Sequence, residues 1–293
     1  MTSYETQLPV RLLHVVRARR LTPRMARITF GGPDLADFRL DGPDQQVKLY
    51  FPKPGQDRPR LPEPTVEGGD PMRWYEEFTA LPEAERPWMR SYTVRAHDPA
   101  DATIDIDFVL HGGGAAGPAT RWAAAAQPGD ILGMFGPSAH FAKPLPLGAA
   151  DWTLLAGDET ALPALGTILE ALPEGAEAVA YIEVQDAADE QQFTTRAELT
   201  VHWLHRGTAP AGHAGLLLDA VRAATFPHGT AYAWLAGEAG AVRGLRRHLV
   251  GERGVAKKDI GFAGYWRLRR TQDDAPTADD LADAQDLLAQ AQA

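Results

Sequence analysis

The sequence predicts two domains, a small all-β domain followed by a parallel α/β domain. Its 293 residues match the length of two ordinary domains. In the first half, short strand-like runs are separated by Gly, Pro and Asp clusters, which is typical of a barrel or sandwich. After the Pro-rich stretch at 144–148, strands and helices alternate, which indicates a parallel sheet with crossover helices. We therefore predict domains at 1–148 and 149–293.

Elements of the first half follow from alternating apolar residues and turn signals. The segment 52–88 is a long excursion with a short helix within 71–81. A Gly run leads into a second helix, which begins at Pro118 because proline favours the first helical position. The predicted strands are 12–16, 25–30, 46–51, 91–95 and 103–110.

Elements of the second half alternate in type. The final helix, over 278–291, places Leu281, Ala284, Leu288 and Ala291 at helical spacing, so we expect it to pack on the body through this apolar face. The predicted strands are 152–156, 178–184, 199–204 and 231–236, and the predicted helices are 162–172, 216–224 and 243–252.

Composition excludes several classes of function. A net charge of −10 argues against nucleic-acid binding. The absence of Cys excludes disulfides, thiolate nucleophiles and cysteine-ligated zinc or iron–sulfur clusters. No stretch approaches the roughly 20 apolar residues of a spanning helix, and no signal peptide is recognisable. We expect a cytoplasmic monomer without membrane insertion.

The run Arg90-Ser91-Tyr92-Thr93-Val94-Arg95 is the first candidate site. Alternation along a strand puts Arg90 and Tyr92 on one face and Thr93 and Arg95 on the other. Arginine can bind phosphate oxygens, and an aromatic ring with a nearby hydroxyl suits a bound flavin. The alternative is an amphipathic strand with solvated arginines.

Two strand-to-helix turns are further candidates. The run from His111 to Ala119 leads into a helix N-terminus, where free amides and the helix dipole favour a phosphate, although many such turns bind nothing. The turn at 154–164 lacks the GxGxxG fingerprint of dinucleotide-binding folds. Its alternative interpretation is a helix capped by Asp158 or Thr160.

Taken in order, these segments resemble the siderophore-interacting protein family, FAD-binding ferric-siderophore reductases of the ferredoxin-reductase-like superfamily. The resemblance covers most of the chain. Two departures are Ser91, where the family has Arg, and Leu268-Arg269-Arg270, which replaces a basic-glycine continuation. The segments that carry the resemblance are 44–49, 90–95, 107–112, 117–119 with Trp122, 156–161, 234–238 and 264–267.

The resemblance implies an antiparallel six-stranded β-barrel that binds FAD, followed by a ferredoxin-reductase-like, Rossmann-type α/β domain. The implied FAD contacts are Arg90, Tyr92, Thr93, Val94, Arg95, Asp107, Val109, His111, Gly117, Pro118, Ala119, Thr120, Asp158, Thr160 and Ala161. The implied nicotinamide contacts are Glu159, Arg206, Gly237, Glu238 and Arg243, and the implied substrate contacts are Lys48 and Arg267.

The resemblance also implies a ferric-siderophore reductase with NADPH or NADH as donor, or a ferredoxin in their place. A nicotinamide delivers a two-electron hydride, whereas ferric iron accepts one electron, so flavin is a sensible intermediary that can take the pair and release electrons singly. No resident metal and no catalytic acid or base are expected. The alternatives are a general NAD(P)H:flavin or quinone oxidoreductase on the same fold, and a non-catalytic module that binds flavin or siderophore.

Overall fold

The computed structural model divides the chain into two compact units. The first comprises Met1–Leu145, Glu159–Leu172 and Asp186–Arg196, and the second comprises Pro146–Asp158, Pro173–Gln185 and Ala197–Ala293. The first change of unit therefore falls a few residues before the boundary at 148 that we propose from the sequence. The structure describes residues 10–36, 38–63, 71–110, 116–136, 145–213 and 215–291.

The first unit is built on a closed antiparallel barrel in the order β1-β2-β5-β4-β3-β6. Its strands are β1 (Val10–Thr22), β2 (Met25–Gly31), β3 (Gln46–Phe51), β4 (Trp88–Asp98), β5 (Thr103–Val109) and β6 (Ile131–Phe135). The five predicted strands are all present, and β6 is the short strand that closes the barrel. Two helices accompany them, α1 (Pro71–Thr79) and α2 (Pro118–Ala125).

The barrel core follows from the alternation in β5. Ile104, Ile106 and Phe108 are buried. Ile104 lies opposite Phe30 of β2, and Ile106 lies opposite Ile28. Every second residue of β5 thus faces the barrel interior, because successive side chains of a strand point to opposite faces.

The excursion between β3 and β4 has a small core of its own. In α1, the rings of Trp74 and Phe78 stack with centroids 5.5 Å apart. Both rings pack edge-on against Tyr50 of β3. The short helix predicted within 71–81 is therefore present, and aromatic packing holds it on the barrel.

The second unit is built on a five-stranded parallel sheet in the order β11-β10-β7-β8-β9. Its strands are β7 (Trp152–Asp158), β8 (Glu177–Val184), β9 (Glu198–His205), β10 (Ala231–Glu238) and β11 (Ile260–Trp266). The helices of the second half are α3 (Leu162–Ala171), which clusters with the first unit, and α4 (Leu216–Ala223), α5 (Ala239–Gly251) and α6 (Ala278–Ala291). A barrel followed by a parallel sheet confirms the predicted fold class.

Three elements differ from the sequence prediction. Strands β6 and β11 are not predicted; β6 pairs with β1 and β3, and β11 pairs in parallel with β10 at the end of the sheet. Helix α5 begins at Ala239 rather than at residue 243, because the Glu238 carboxylate caps its first turn by accepting from the Ala241 N–H at 2.9 Å.

The C-terminal helix is present over the predicted residues, but its predicted contact face is wrong. Leu281 is 53% exposed and Ala284 is exposed, whereas Asp283 forms ion pairs with Arg243 and Arg246 of α5. The side chains of Leu288 and Ala291 lie outside the described residues. Leu287, outside the predicted stripe, is partly buried and packs against the hydrophobic core of the second unit. The helix therefore contacts this unit through ion pairs and Leu287 rather than through Leu281 and Ala284. Among the described residues, no helix has the length and apolar content needed to cross a membrane.

Candidate functional site

The register of β4 places Arg90 and Tyr92 on one face of the strand. Arg90 lies opposite Leu49 of β3, and Tyr92 lies opposite Val47. Leu49 and Val47 are buried in the barrel core. Because directly opposed residues of an antiparallel pair share a face, Arg90 and Tyr92 point to the core side of the barrel wall.

The Tyr92 ring belongs to an aromatic cluster that also includes α2. Its centroid lies 4.5 Å from that of Phe108 and 6.2 Å from that of Phe51. Trp122 of α2 lies 5.6 Å from Phe51 and 6.2 Å from Phe108. The strand at 90–95 and the helix that begins at 118 therefore pack on the same rings. Burial raises the pKa of the Tyr92 phenol, so its hydroxyl is neutral at physiological pH.

The start of α2 has few neighbours among the described residues, which exclude 111–115. Its N-cap residue, Gly117, forms no side-chain cap, and Pro118 has no N–H to donate. Within the described part of the chain, no heavy atom lies within 4 Å of the position that a Cβ on Gly117 would take. The Thr120 hydroxyl donates to the Val109 carbonyl at 3.3 Å and ties the helix start to the end of β5. His111 lies outside the described residues.

These groups fit a flavin dinucleotide. A guanidinium and an aromatic ring share a face of β4. The same cluster supports the start of α2, where no described side chain forms a cap and no described heavy atom lies beside Gly117. Such a helix start favours phosphate oxygens, and a neutral aromatic ring suits an isoalloxazine.

Lys48 lies beside this strand on its opposite face. It lies opposite Ser91, and its Nζ donates to the Ser91 Oγ at 2.7 Å. Burial lowers the pKa of Lys48. The departure from the family at Ser91 thus provides the hydrogen-bond acceptor for a residue that we predict to contact substrate.

Two predicted FAD contacts have ionic partners within the chain. Asp107 accepts from the Arg27 guanidinium at 2.7 and 2.8 Å, and this bidentate bond, opposed by burial, raises the pKa of Arg27. Arg95 pairs with Glu170 of α3 at 2.6 Å. A Cβ on Gly166 would stand 2.9 Å from the Arg95 Nε, so a larger residue there would displace the Arg95 guanidinium.

Other predicted FAD contacts are packing residues of the barrel. Val94 and Ala119 belong to its hydrophobic core. Thr93 is buried, and Val109 is partly buried. Their roles as cofactor contacts stay predictions.

In the second unit, the carboxylate at the end of β7 joins three strand ends. The Asp158 Oδ2 accepts from the Glu238 N–H at 2.9 Å and from the Trp266 Nε1–H at 2.7 Å. Gly237 has φ +134°, and a Cβ there would stand 2.6 Å from the same oxygen. Sequence reasoning missed Trp266 as the partner of Asp158, because the two residues lie 108 positions apart.

Glu238 holds two backbone amides. Its Oε2 accepts from the Ala241 N–H, and its Oε1 accepts from the Leu268 N–H at 3.0 Å. The carboxylate therefore connects the start of α5 to the chain that follows β11.

The turn between β7 and α3 lacks the side-chain cap that the sequence allows. The N-cap residue of α3 is Ala161 rather than Asp158 or Thr160, and its side chain forms no cap hydrogen bond. Asp158 instead accepts from β10 and β11. Glu159 and Ala161 are buried, and Thr160 is partly buried.

Arg243 and Arg267 are held by α6 and the turn before it. Arg243 contacts Asp283 at 3.1 Å and Asp280 at 3.5 Å. Arg267 donates to Asp280 at 2.8 Å and to the Thr271 carbonyl at 2.6 Å. Sequence reasoning did not consider this, although acidic residues at 279, 280, 283 and 286 repeat at helical spacing.

Arg206, the remaining predicted nicotinamide contact, is 9% exposed and follows β9. Its backbone N–H donates to the Val184 carbonyl at the end of β8. Among the described residues, no group of three or more His, Asp or Glu side chains is arranged to hold a metal ion.

Two family models match the chain. Residues 14–141 match the siderophore-interacting FAD-binding domain, and residues 150–269 match the siderophore-interacting protein. The matched ranges correspond to the barrel half and the sheet half of the sequence.

Individual relatives match over nearly their full length. The ferric vibriobactin reductase ViuB of Vibrio cholerae is 32% identical over 265 residues, 90% of this chain and 91% of that protein. The NADPH-dependent ferric-chelate reductase of Escherichia coli is 31% identical over 266 residues, 89% and 94% of the two chains. The crystal structure of a siderophore utilization protein from T. fusca has a TM-score of 0.75 at 38% identity, covering 93% and 98%.

Proposed function

Because the chain belongs to the siderophore-interacting protein family, we propose that it is an FAD-dependent reductase of ferric siderophores with NADPH or NADH as donor. The observation that carries this proposal is the shared aromatic cluster of β4 and α2, which lies beside a helix start that no side chain of the described residues caps. The names of the Vibrio and Escherichia relatives support the same reaction class.

In this proposal, the barrel binds and orients the cofactor. Tyr92 supports the flavin ring, Arg90 binds phosphate oxygens, and the amides after Gly117 bind the pyrophosphate. When bound, FAD supplies the conversion of a two-electron hydride into single electrons, so one NADPH reduces two ferric ions. The chain's own residues bind and orient, and none is assigned an acid or base role.

Substrate and donor contacts are assigned less directly. Lys48, a lysine with a lowered pKa on the barrel wall, is proposed to attract anionic chelates. Glu159, Arg206, Gly237 and Glu238 are kept as nicotinamide contacts. Arg243 and Arg267 require release from their aspartates before they can bind a ligand.

The first test is the visible spectrum of the purified protein after FAD loading, followed by anaerobic titration. NADPH or NADH should bleach the flavin, and a ferric siderophore should restore its absorbance with two ferric ions reduced per flavin. A protein that takes up no FAD contradicts the proposal. Bleaching followed by faster turnover of free flavin or quinone than of any ferric siderophore favours a general flavin reductase.

The second test assigns the cofactor contacts. Tyr92→Ala and Arg90→Ala should each weaken FAD binding by about tenfold or more, because each removes a ligand contact at the cluster. Tyr75→Ala is the matched control, since Tyr75 is 50% exposed on α1. Equal FAD content in all three variants contradicts the assignment of Arg90 and Tyr92.

A further inference from the structure

Four residues in the second unit form what we call the strand-end network: Asp158, Gly237, Glu238 and Trp266. They lie at the carboxyl ends of β7, β10 and β11, which are neighbours in the sheet. A single buried oxygen, the Asp158 Oδ2, accepts from β10 through a backbone N–H and from β11 through an indole N–H. The network therefore fixes the spacing of three strand ends at once.

The backbone around the strand-end network is irregular, and this irregularity allows the contacts of the network to form. The pairing of β10 with β11 shifts register between Gly237 and Glu238. At this shift, Gly237 adopts a positive φ and lets the Asp158 carboxylate approach. Glu238 then turns its side chain to the amides of Ala241 and Leu268, at the start of α5 and after β11.

The loop that follows β9 also lies against two residues of the network, Trp266 and Glu238. Gly212, with φ +75°, follows β9, and a Cβ there would stand 2.9 Å from the Trp266 ring and 3.2 Å from the Glu238 Cγ. Trp266 is therefore held on one side by a carboxylate and on the other by glycine backbone. The segments around Gly212 and Gly237 thus approach the Trp266 indole and the side chains of Asp158 and Glu238.

Burying a carboxylate is a poor way to stabilise a sheet, because an apolar side chain of similar volume is often as stable or more so. Buried polar networks instead fix geometry, and ligands of open α/β sheets bind at the carboxyl ends of the strands. Both the position and the chemistry of the network thus indicate a ligand site at the carboxyl edge of the sheet.

We propose that Asp158, through Trp266 and Glu238, is a positioning residue that shapes the nicotinamide subsite at this edge and does not itself contact FAD or the donor. The inference rests on the proposed function for the identity of the donor. It replaces the direct FAD contact that the resemblance implies for Asp158 and assigns Trp266 a role that the sequence does not indicate.

The experiment measures FAD content, the dissociation constant of NADP⁺ and the steady-state split between KM and kcat, all on the FAD-loaded full chain. The variants are Asp158→Asn, Trp266→Phe and their combination. Trp152→Phe is the matched control, because Trp152 begins the same strand β7 at the opposite end and is 3% exposed.

We expect unchanged FAD content and a rise of about tenfold in the NADP⁺ dissociation constant and in KM for both single variants, with kcat within about twofold, because a displaced subsite weakens binding without removing a reacting group. The effects of the two single variants should be less than additive in the double variant, because both act on the bond between Trp266 and Asp158. Trp152→Phe should leave all binding values unchanged.

Three results overturn the inference. Loss of FAD content in Asp158→Asn makes Asp158 a cofactor contact. Wild-type values of NADP⁺ binding in Trp266→Phe make the network purely structural, and this variant decides the question even where Asp158→Asn fails to fold. If Trp152→Phe weakens NADP⁺ binding equally, the effect comes from a general loss of sheet stability. A wild-type protein that reduces ferric siderophores yet binds neither NADP⁺ nor NAD⁺ removes the donor from the proposed function as well.

Discussion

Two turns that lead into a helix, one in each unit, both contain a glycine just before the helix but differ in structure. Gly117 precedes α2 in the first unit, and Gly237 precedes α5 in the second. The space beside Gly117 is open within the described residues, and no side chain caps its helix. The space beside Gly237 holds the Asp158 carboxylate, and Glu238 caps the helix that follows.

The difference separates a turn for which the described residues provide no carboxylate from a turn whose amides bind one from the chain itself. An uncapped helix start leaves amide donors for an external anion, whereas a chain carboxylate at the other turn already satisfies them. A glycine-rich turn in a sequence therefore indicates an anion site only where the fold brings no carboxylate to it.

Of the changes that test this comparison, Gly237→Ala should have the largest effect on the free energy of unfolding. The new Cβ would stand 2.6 Å from the Asp158 Oδ2 at a φ of +134°. We expect a loss of about 2–4 kcal/mol in the free energy of unfolding, from steric overlap together with backbone strain. Urea denaturation measures it, and a change below about 0.5 kcal/mol would mean that this turn is as open as the other.

Gly117→Ala is the counterpart in the first unit. Because the backbone there has φ −65° and open space, we expect the free energy of unfolding to change by less than about 0.5 kcal/mol. FAD affinity should nevertheless fall by about tenfold, since the added methyl group occupies the approach of a phosphate to the backbone. Fluorimetric FAD titration measures this, and unchanged affinity would break the comparison.

A smaller effect is expected from acid at the C-terminal helix. Burial opposes the charge of Asp280, yet hydrogen bonds from Thr277 and Arg267 lower its pKa to about 2. A lowered carboxyl pKa stabilises the folded state above the ordinary value of 3.8, and this contribution is lost as pH falls toward 2.

Asp280→Asn should therefore cost about 1 kcal/mol at neutral pH, after allowance for solvent screening. The gap from wild type should narrow below pH 4, which unfolding curves at several pH values will measure. Asp279→Asn is the control, since Asp279 is 73% exposed and 3.9 Å from Arg243. A gap that is independent of pH would rule out an ionic origin.

The smallest effect is expected from salt. Arg246 contacts Asp286 at 2.6 Å, but the aspartate side chain is 43% exposed, so the pair is screened. Raising ionic strength about tenfold should weaken the attachment of α6 by roughly 0.2–1 kcal/mol. Hydrogen exchange should increase over 278–287 and stay constant over β2, whose contacts are mainly apolar. Equal changes in both would refute the ionic account.

The sequence predicts most of the fold because the relevant signals are local. Alternation in β5 and the helical spacing over 278–291 each specify an element within one window of residues. Strand β11 is missed because its run Ile260–Trp266 mixes glycine with apolar residues and lacks a clear alternation.

The candidate site is predicted less completely, because its contacts join distant residues. The Arg27–Asp107 pair spans 80 positions, and the bond from Trp266 to Asp158 spans 108. No local pattern specifies either pair. Resemblance indicated which residues matter near the site, but it did not distinguish a ligand contact from a residue that binds another part of the chain.

The division of the chain between the units has a consequence for synthesis. Residues 159–172 and 186–196 complete the first unit, through contacts such as Arg95 with Glu170 and Arg24 with Asp189 at 2.7 Å. A fragment that stops at residue 145 therefore lacks part of the first unit. On the ribosome, the first unit can acquire all its residues only after residue 196, when two of the five strands of the parallel sheet, β7 and β8, have also emerged. Completion of the first unit should therefore overlap with the synthesis of the second.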